Sequence, residues 1–218
     1  MKKITVVTGH YGSGKTNLSV NLAVNANNEG KSVAVVDLDL VNPYFRTADF
    51  KYYFESIGVK LIAPDFANSN LDVPSIQFDI EQLAMSEDCL IIDVGGDDAG
   101  AFALGRFAEA LSKYKNDLDM LYVINQRRYL TEKADEAVKL MYEIETAARM
   151  KHTAIVNNTN LGRETTAGII TKSADFARKV SQITGLPLAF TTCPEELCEL
   201  VDMQDIFPIN VFVKAIWD

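Results

Sequence analysis

The 218-residue sequence holds only three cysteines, Cys89, Cys193 and Cys198, which form neither a CxxC pair nor a Cys/His metal spacing. An odd, sparse set of thiols excludes a disulfide framework and points to a reducing, cytoplasmic compartment. Basic residues are also short. With 21 Lys and Arg against 30 Asp and Glu, the formal net charge is −9. Such a field repels phosphate backbones, so nonspecific DNA binding is disfavoured unless a local basic patch overrides it. Arg127, Arg128, Arg149, Lys151, Arg163, Lys172, Arg178 and Lys179 could supply one. No apolar run approaches the roughly 18 to 20 residues needed to cross a bilayer. The short basic start MKKITVVTGH runs into a glycine loop rather than a cleavage site. Linkers, low-complexity tracts and internal repeats are missing too, so residues 1–218 are expected to form a single domain.

What is present is an alternation. The apolar runs ITVVT, SVAVVD, VKLIA, CLIIDV, MLYVIN, TAIVNN and PLAFTT are separated by helical patterns, placed at 15–28, 75–85, 131–150, 165–184 and 195–203. Continuous apolar strands belong to a sheet buried on both faces. Their alternation with helices predicts right-handed crossovers and an α/β, doubly wound, mostly parallel sheet flanked by helices. Ligands of such sheets collect at the carboxyl ends of the strands. There the sequence places TGHYGSGKT, DLDLVNP, DVGGDDAG and NNTNLGR.

Gly9-x-x-x-x-Gly14-Lys15-Thr16 fits the Walker A pattern and stands where that pattern must, after a strand and before a helix. In the stretch Gly9, His10, Tyr11, Gly12, Ser13, Gly14, Lys15, Thr16 and Asn17, the glycines let backbone N–H groups wrap phosphate oxygens, and the helix N-terminus adds partial positive charge. Lys15 is expected to bridge the β- and γ-phosphates and Thr16 to hold Mg²⁺. Asp93, closing CLIIDV, stands where a Walker B acid holds the metal through water, and Gly95-Gly96 free the chain to approach the γ-phosphate. Asp37 and Asp39 end the second run, where a carboxylate can orient an attacking water or hold magnesium. A plain helix cap at Asp93 and a solvated turn at Asp37–Asp39 are the alternatives.

With these residues in place the chain resembles the ParA/MinD group of P-loop ATPases, in the class that also holds the nitrogenase iron protein and the signal-recognition GTPases. GHYGSGKTNLSVNLA, VAVVDLDLVN, CLIIDVGG, TAIVNNTN and TTCPEEL carry the resemblance. It implies that Asp39 positions the hydrolytic water, that Asp37 is the companion carboxylate of its segment, and that Asp93 is the Walker B acid. Asn157 or Asn158 then contacts the base, and the chain around Cys193, Pro194 and Glu195 closes over adenine. Asn157-Asn158-Thr159-Asn160 lacks the aspartate of a guanine reader, which favours ATP. One position departs from the family. Its signature lysine, which reaches across a nucleotide-sandwich dimer, is His10 here, and a neutral histidine offers a hydrogen bond in place of a full charge.

The resemblance thus implies a Mg²⁺-dependent ATPase that acts as a nucleotide-controlled switch on a protein partner or as a homodimer. NPYFR would be its moving element, with Arg46 approaching the γ-phosphate, or else a docked loop. The C-terminal NVFVKAIWD is too short and too weakly basic for stable membrane binding. A ligase or kinase that passes the γ-phosphate to a small molecule is the runner-up, and a nucleotide-binding subunit without hydrolysis is the third reading. His152 receives no role.

Overall fold

Each apolar run becomes a strand because its side chains alternate between two faces, and both faces are covered. In the computed structural model, which describes residues 1–39, 46–63 and 78–213, the strands are β1 (Ile4–Gly9), β2 (Val33–Leu38), β3 (Lys60–Ile62), β4 (Cys89–Val94), β5 (Leu118–Ile124), β6 (Ala154–Asn157), β7 (Leu188–Pro194) and β8 (Ile206–Ile209). They lie in the order β3-β2-β4-β1-β5-β6-β7-β8, and every neighbouring pair is parallel. Strand β8 has no counterpart among the seven runs found in the sequence. Its four residues include Pro208, which the sheet tolerates because β8 is an edge.

The helices are α1 (Lys15–Asn28), α2 (Lys51–Ile57), α3 (Ile80–Ser86), α4 (Asp98–Gly105), α5 (Ala108–Ser112), α6 (Ala134–Ala148) and α7 (Ala167–Thr184). The expected helix at 15–28 matches to the residue. Helix α7 starts two residues later than expected because Thr166 caps it, accepting from the Ile169 amide. Asp79 likewise caps α3, accepting from Glu81 and Gln82, while the first residues of the expected 75–85 helix lie outside the described residues. The expected 195–203 helix is a 3₁₀ turn, Glu195–Leu200. Helices α2, α4 and α5 are too short for a helical period to reveal. Among the described residues no helix is long and apolar enough to cross a membrane.

Two apolar layers enclose the sheet. On one face Leu18, Leu22 and Ala23 of α1 and Phe54 of α2 pack against Val7, Val33, Val35, Ile91 and Val123. On the other, Leu83, Leu104, Leu111 and Ala148 meet Ile4, Val6, Val36, Leu90 and Ile92, and α6 and α7 cover Tyr122 and Ile155. The period of two then decides where polar residues go. Asp37 follows Val33 and Val35, and Asp93 follows Cys89 and Ile91, so both carboxylates fall on the α1 face. Thr8 faces the opposite way.

On that opposite face lies a buried polar chain. The Thr8 hydroxyl is 2.7 Å from His152 Nε2, and His152 Nδ1 is 3.2 Å from Glu145 Oε1, which also accepts from the His152 amide. Burial pushes the Glu145 carboxyl pKa up, but hydrogen bonds from His152 and Lys151 outweigh it and hold it at about 2, below the ordinary 4.5. Burial pushes His152 below its ordinary 6.5. Both shifts have the same sign: each contribution is complete above the unfolded value and is lost as pH falls through the folded one. Glu145→Gln should therefore cost about 1–3 kcal/mol at pH 7, and its deficit against the wild type should shrink as pH drops below about 4.5. Denaturant midpoints across that range test this, and a pH-independent deficit would refute it.

Candidate functional site

The order of the sheet leaves a crevice beyond the carboxyl end of β1, because the chain crosses from β1 to β2 on one side while β5 flanks the other. Residues 9–14 fill it. Gly12 and Gly14 adopt φ of 73° and 88°, a left-handed backbone that favours glycine. Gly14 caps α1 with no side-chain hydrogen bond, and the first turn carries no acidic residue. Its N–H groups and the positive end of the helix dipole therefore face the loop.

Lys15 is only 7% exposed, and its Nζ donates to the His10 carbonyl at 3.2 Å. Burial lowers its pKa, while Asp93, Asp39 and Asp97 pull it back up. The loop after β4 presses onto this amine: a Cβ on Gly96 would stand 2.8 Å from Lys15 Nζ and 2.7 Å from Tyr11 Cα. Burial and then the Lys15 charge lower the His10 pKa, so the imidazole is neutral at pH 7.

Asp93 is 2% exposed. Ser19 donates to its Oδ1 at 3.1 Å and Thr47 donates to Oδ2, while the Thr16 hydroxyl lies near enough to favour the charged carboxylate. Burial raises its pKa, opposed by these hydroxyls and by Lys15. Asp37 stands opposite Asp93 in the strand register. Burial first, and the Asp93 charge second, push it to about 6, against the pull of Arg46 and two amides. Those amides are Asp39 N on Oδ1 and Ala48 N on Oδ2, both at 2.9 Å, with Arg46 Nε 3.5 Å from Oδ2. Asp39 lies against Gly95, where an added Cβ would be 3.2 Å from its Oδ1. Lys15, Thr16, Asp37, Asp39 and Asp93 thus meet in one place. Arg46 is turned onto Asp37, and Asn42, Pro43, Tyr44 and Phe45 lie outside the described residues.

The other candidates divide. Asn158 donates from Nδ2 to the Ser13 carbonyl at 2.6 Å and accepts from the Thr192 hydroxyl, which ties the loop after β6 to the phosphate loop. Asn157 turns inward instead, bonding Ser173 at 2.7 Å and Thr159 at 2.8 Å. Pro194 ends β7 beside the 3₁₀ turn. The Asn17 side chain serves the C-terminal segment, donating to Asn210 O and accepting from Phe212 and Val213, so it offers a ligand only its backbone. Thr47, Ser19 and Asp97 went unanticipated. Thr47 and Ser19 carry no motif of their own, and only the contact with Asp93 marks them. Asp97 stood in the quoted DVGGDDAG, and its own place three residues before Gly100, as an N-cap, was the available signal.

A glycine loop on a helix N-terminus, a buried lysine and a buried strand-end carboxylate beside the loop define a nucleotide-binding domain of the P-loop NTPase fold. Over residues 4–182 the chain matches the CobQ/CobB/MinD/ParA nucleotide binding domain, and it belongs to that family. Comparison with curated proteins finds no match. Among solved structures it is similar to the cell division protein FtsY of Thermotoga maritima, with a TM-score of 0.61 and 21% identity over 89% of this chain and 63% of that one. The receptor FtsY of Elizabethkingia anophelis in complex with GDP gives 0.59 and 20%, over 96% and 61%. The 54 kDa signal recognition particle protein of Aeropyrum pernix in complex with GDP gives 0.57 and 20%, over 87% and 41%. At such identities the likeness is one of fold, and this chain spans less than two thirds of each of those chains.

Gly96→Ala should leave the far-ultraviolet circular dichroism unchanged and weaken binding of a fluorescent nucleotide by at least about tenfold, a loss of about 1.4 kcal/mol. Its methyl would displace Tyr11 and Lys15. Unchanged affinity would show that the loop after β4 does not control the cradle.

Proposed function

We propose that this chain, acting as one domain in the cytoplasm, binds and hydrolyses ATP with Mg²⁺ and that the nucleotide state controls its association with a protein partner or a second copy of itself. The observation that carries this reading is the buried Asp93, which accepts from Thr47 of the segment after β2 and stands beside Lys15 and Thr16 of the phosphate loop. Any turn of Asp93 toward a nucleotide is felt at Thr47. From there it passes to the 46–57 segment, whose Ala48 amide already donates to Asp37.

The donor set suits magnesium: a hydroxyl and a carboxylate within reach of each other beside a phosphate cradle. Among the described residues no group of three His, Cys, Asp or Glu forms a protein cage for a metal, and phosphate oxygens of a bound nucleotide would complete the shell. When bound, the ion would neutralise charge on the phosphate oxygens. Lys15 would bind the β- and γ-phosphates after leaving the His10 carbonyl, and Asp39 would orient the attacking water. Asn158, joined to Ser13, would bring the base loop into register with the phosphates. Adenine is favoured because Asn160 stands where a guanine reader needs a carboxylate, and its Oδ1 accepts from Gly162 N.

Light scattering with Mg·ADP, and then with a non-hydrolysable ATP analogue, tests the switch. The expected result is a dimer, or a complex with an added partner, with the triphosphate alone. Asp39→Ala should retain that assembly while hydrolysis falls by about 10²-fold or more. A monomer in both states, with turnover that requires a carboxylate metabolite, would replace the switch with a ligase or kinase. Preference for GTP would overturn the choice of base.

A further inference from the structure

The cations of the site are unevenly placed. Lys15 lies beneath the loop among Asp39, Asp93 and Asp97, and Arg46 is committed to Asp37. Three carboxylates around one ammonium make an acidic floor, and a triphosphate would add further negative charge above it. His10 supplies no charge there. Beside the loop lies a guanidinium: Nε, Cζ and Cδ of Arg128 come within 3.3–3.5 Å of the place a Cβ on Gly12 would occupy. Gly12 has no side chain, so the guanidinium occupies the space next to it.

The backbone of Arg128 is held firmly. Its N–H donates to Asn125 O at 3.2 Å, and its carbonyl accepts from Thr131 N at 3.1 Å and from Thr131 Oγ1 at 3.1 Å. Asn125 is fully buried; its Oδ1 accepts from Arg127 N, and its Nδ2 donates to Asn160 O. Thr131, 1% exposed, returns its hydroxyl to Asn125 O at 2.7 Å. The turn also holds Leu130 at φ 65°, an uncommon conformation for a bulky residue that the surrounding bonds must maintain. Arg127, one residue earlier, lines a separate basin with Gln126, Glu132, Lys133 and Lys172. Of two adjacent arginines, one is thus aimed at the phosphate loop and the other away from it.

We propose that Arg128 is a phosphate-binding residue whose guanidinium, carried on the rigid 125–131 turn, takes the terminal phosphate of a nucleoside triphosphate seated in the 9–14 loop. The inference rests on the nucleotide reading above. A planar fork of N–H donors matches two oxygens of one phosphoryl group, and a side chain that lies on the surface of the loop needs only its own torsions to reach them. The same contact would counter charge developing on the transferred phosphoryl group. A diphosphate lacks that phosphoryl group, so an Arg128 that takes it would discriminate between the two nucleotide states.

Affinities of the full chain for a non-hydrolysable ATP analogue and for ADP, both with Mg²⁺, test this in wild type, Arg128→Ala, Arg128→Lys and Arg127→Ala. Arg128→Ala should weaken the triphosphate by about ten- to a hundredfold while ADP affinity stays within about twofold. Arg128→Lys should recover part of the loss, and Arg127→Ala, which removes the same charge from the neighbouring position, should leave the ratio unchanged. An unaltered triphosphate-to-diphosphate ratio in Arg128→Ala, or an equal change in Arg127→Ala, overturns the role of Arg128 while the nucleotide reading survives. A folded wild type that binds neither nucleotide overturns both.

Discussion

The burial of Asp93 is the constraint on which the site depends. A carboxylate taken out of water costs several kcal/mol unless hydrogen bonds and opposite charge compensate it, and here the compensation comes from separate parts of the chain. Ser19 and Thr16 approach from α1, Thr47 from the segment after β2, and Lys15 contributes charge. Satisfying one buried group therefore fixes α1, β4 and the 3₁₀ turn Thr47–Phe50 before α2 relative to one another. Asp37, next to it in the sheet, does the same for the backbone at Asp39 and Ala48. Two acids on adjacent parallel strands would repel one another, and burial first, with that repulsion second, raises the pKa of Asp37.

The phosphate loop is braced from three further directions. Asn158 holds it from β6 through the Ser13 carbonyl, Gly96 covers it from β4, and Arg128 rests on it from β5. The helix that follows it is tied elsewhere. Asn17 and Asn21 both bond the backbone at Asn210, and Phe212 packs its ring on Phe50 and Tyr53. The segment after β8 therefore touches α1 one residue beyond Thr16, at Asn17, and touches the 3₁₀ turn and α2 at Phe50 and Tyr53. The loop, the Thr16 and Thr47 hydroxyls and the 46–57 segment share a mechanical frame, so a change at one is resisted or transmitted by the others.

Much of this was legible in the sequence because it depends on local pattern. Seven apolar runs, the glycine spacing and Lys15-Thr16 mark the parallel sheet and the loop at its edge, since β-branched runs buried on both faces leave few alternatives. The long helices were legible for the same reason. Strand β8 was not, because four residues with a proline carry too little pattern and its pairing with β7 is made across sequence. His152 read as a residue without a role, although it bridges Thr8 and Glu145 from positions 144 and 7 residues away. Asn157 and Asn158 were indistinguishable as neighbours, yet opposite side-chain directions send one into α7 and the other to Ser13.

By itself the sequence determined the class of fold, the family and the position of the nucleotide loop, because strand alternation and a glycine-lysine-threonine spacing act within a few residues of each other. Only the tertiary structure decided which carboxylate is shared by which hydroxyls, which asparagine meets the loop, and which of two adjacent arginines lies on Gly12. Those outcomes depend on side chains brought together from distant positions by the order of the sheet, and on the cost of leaving a buried polar group without a partner.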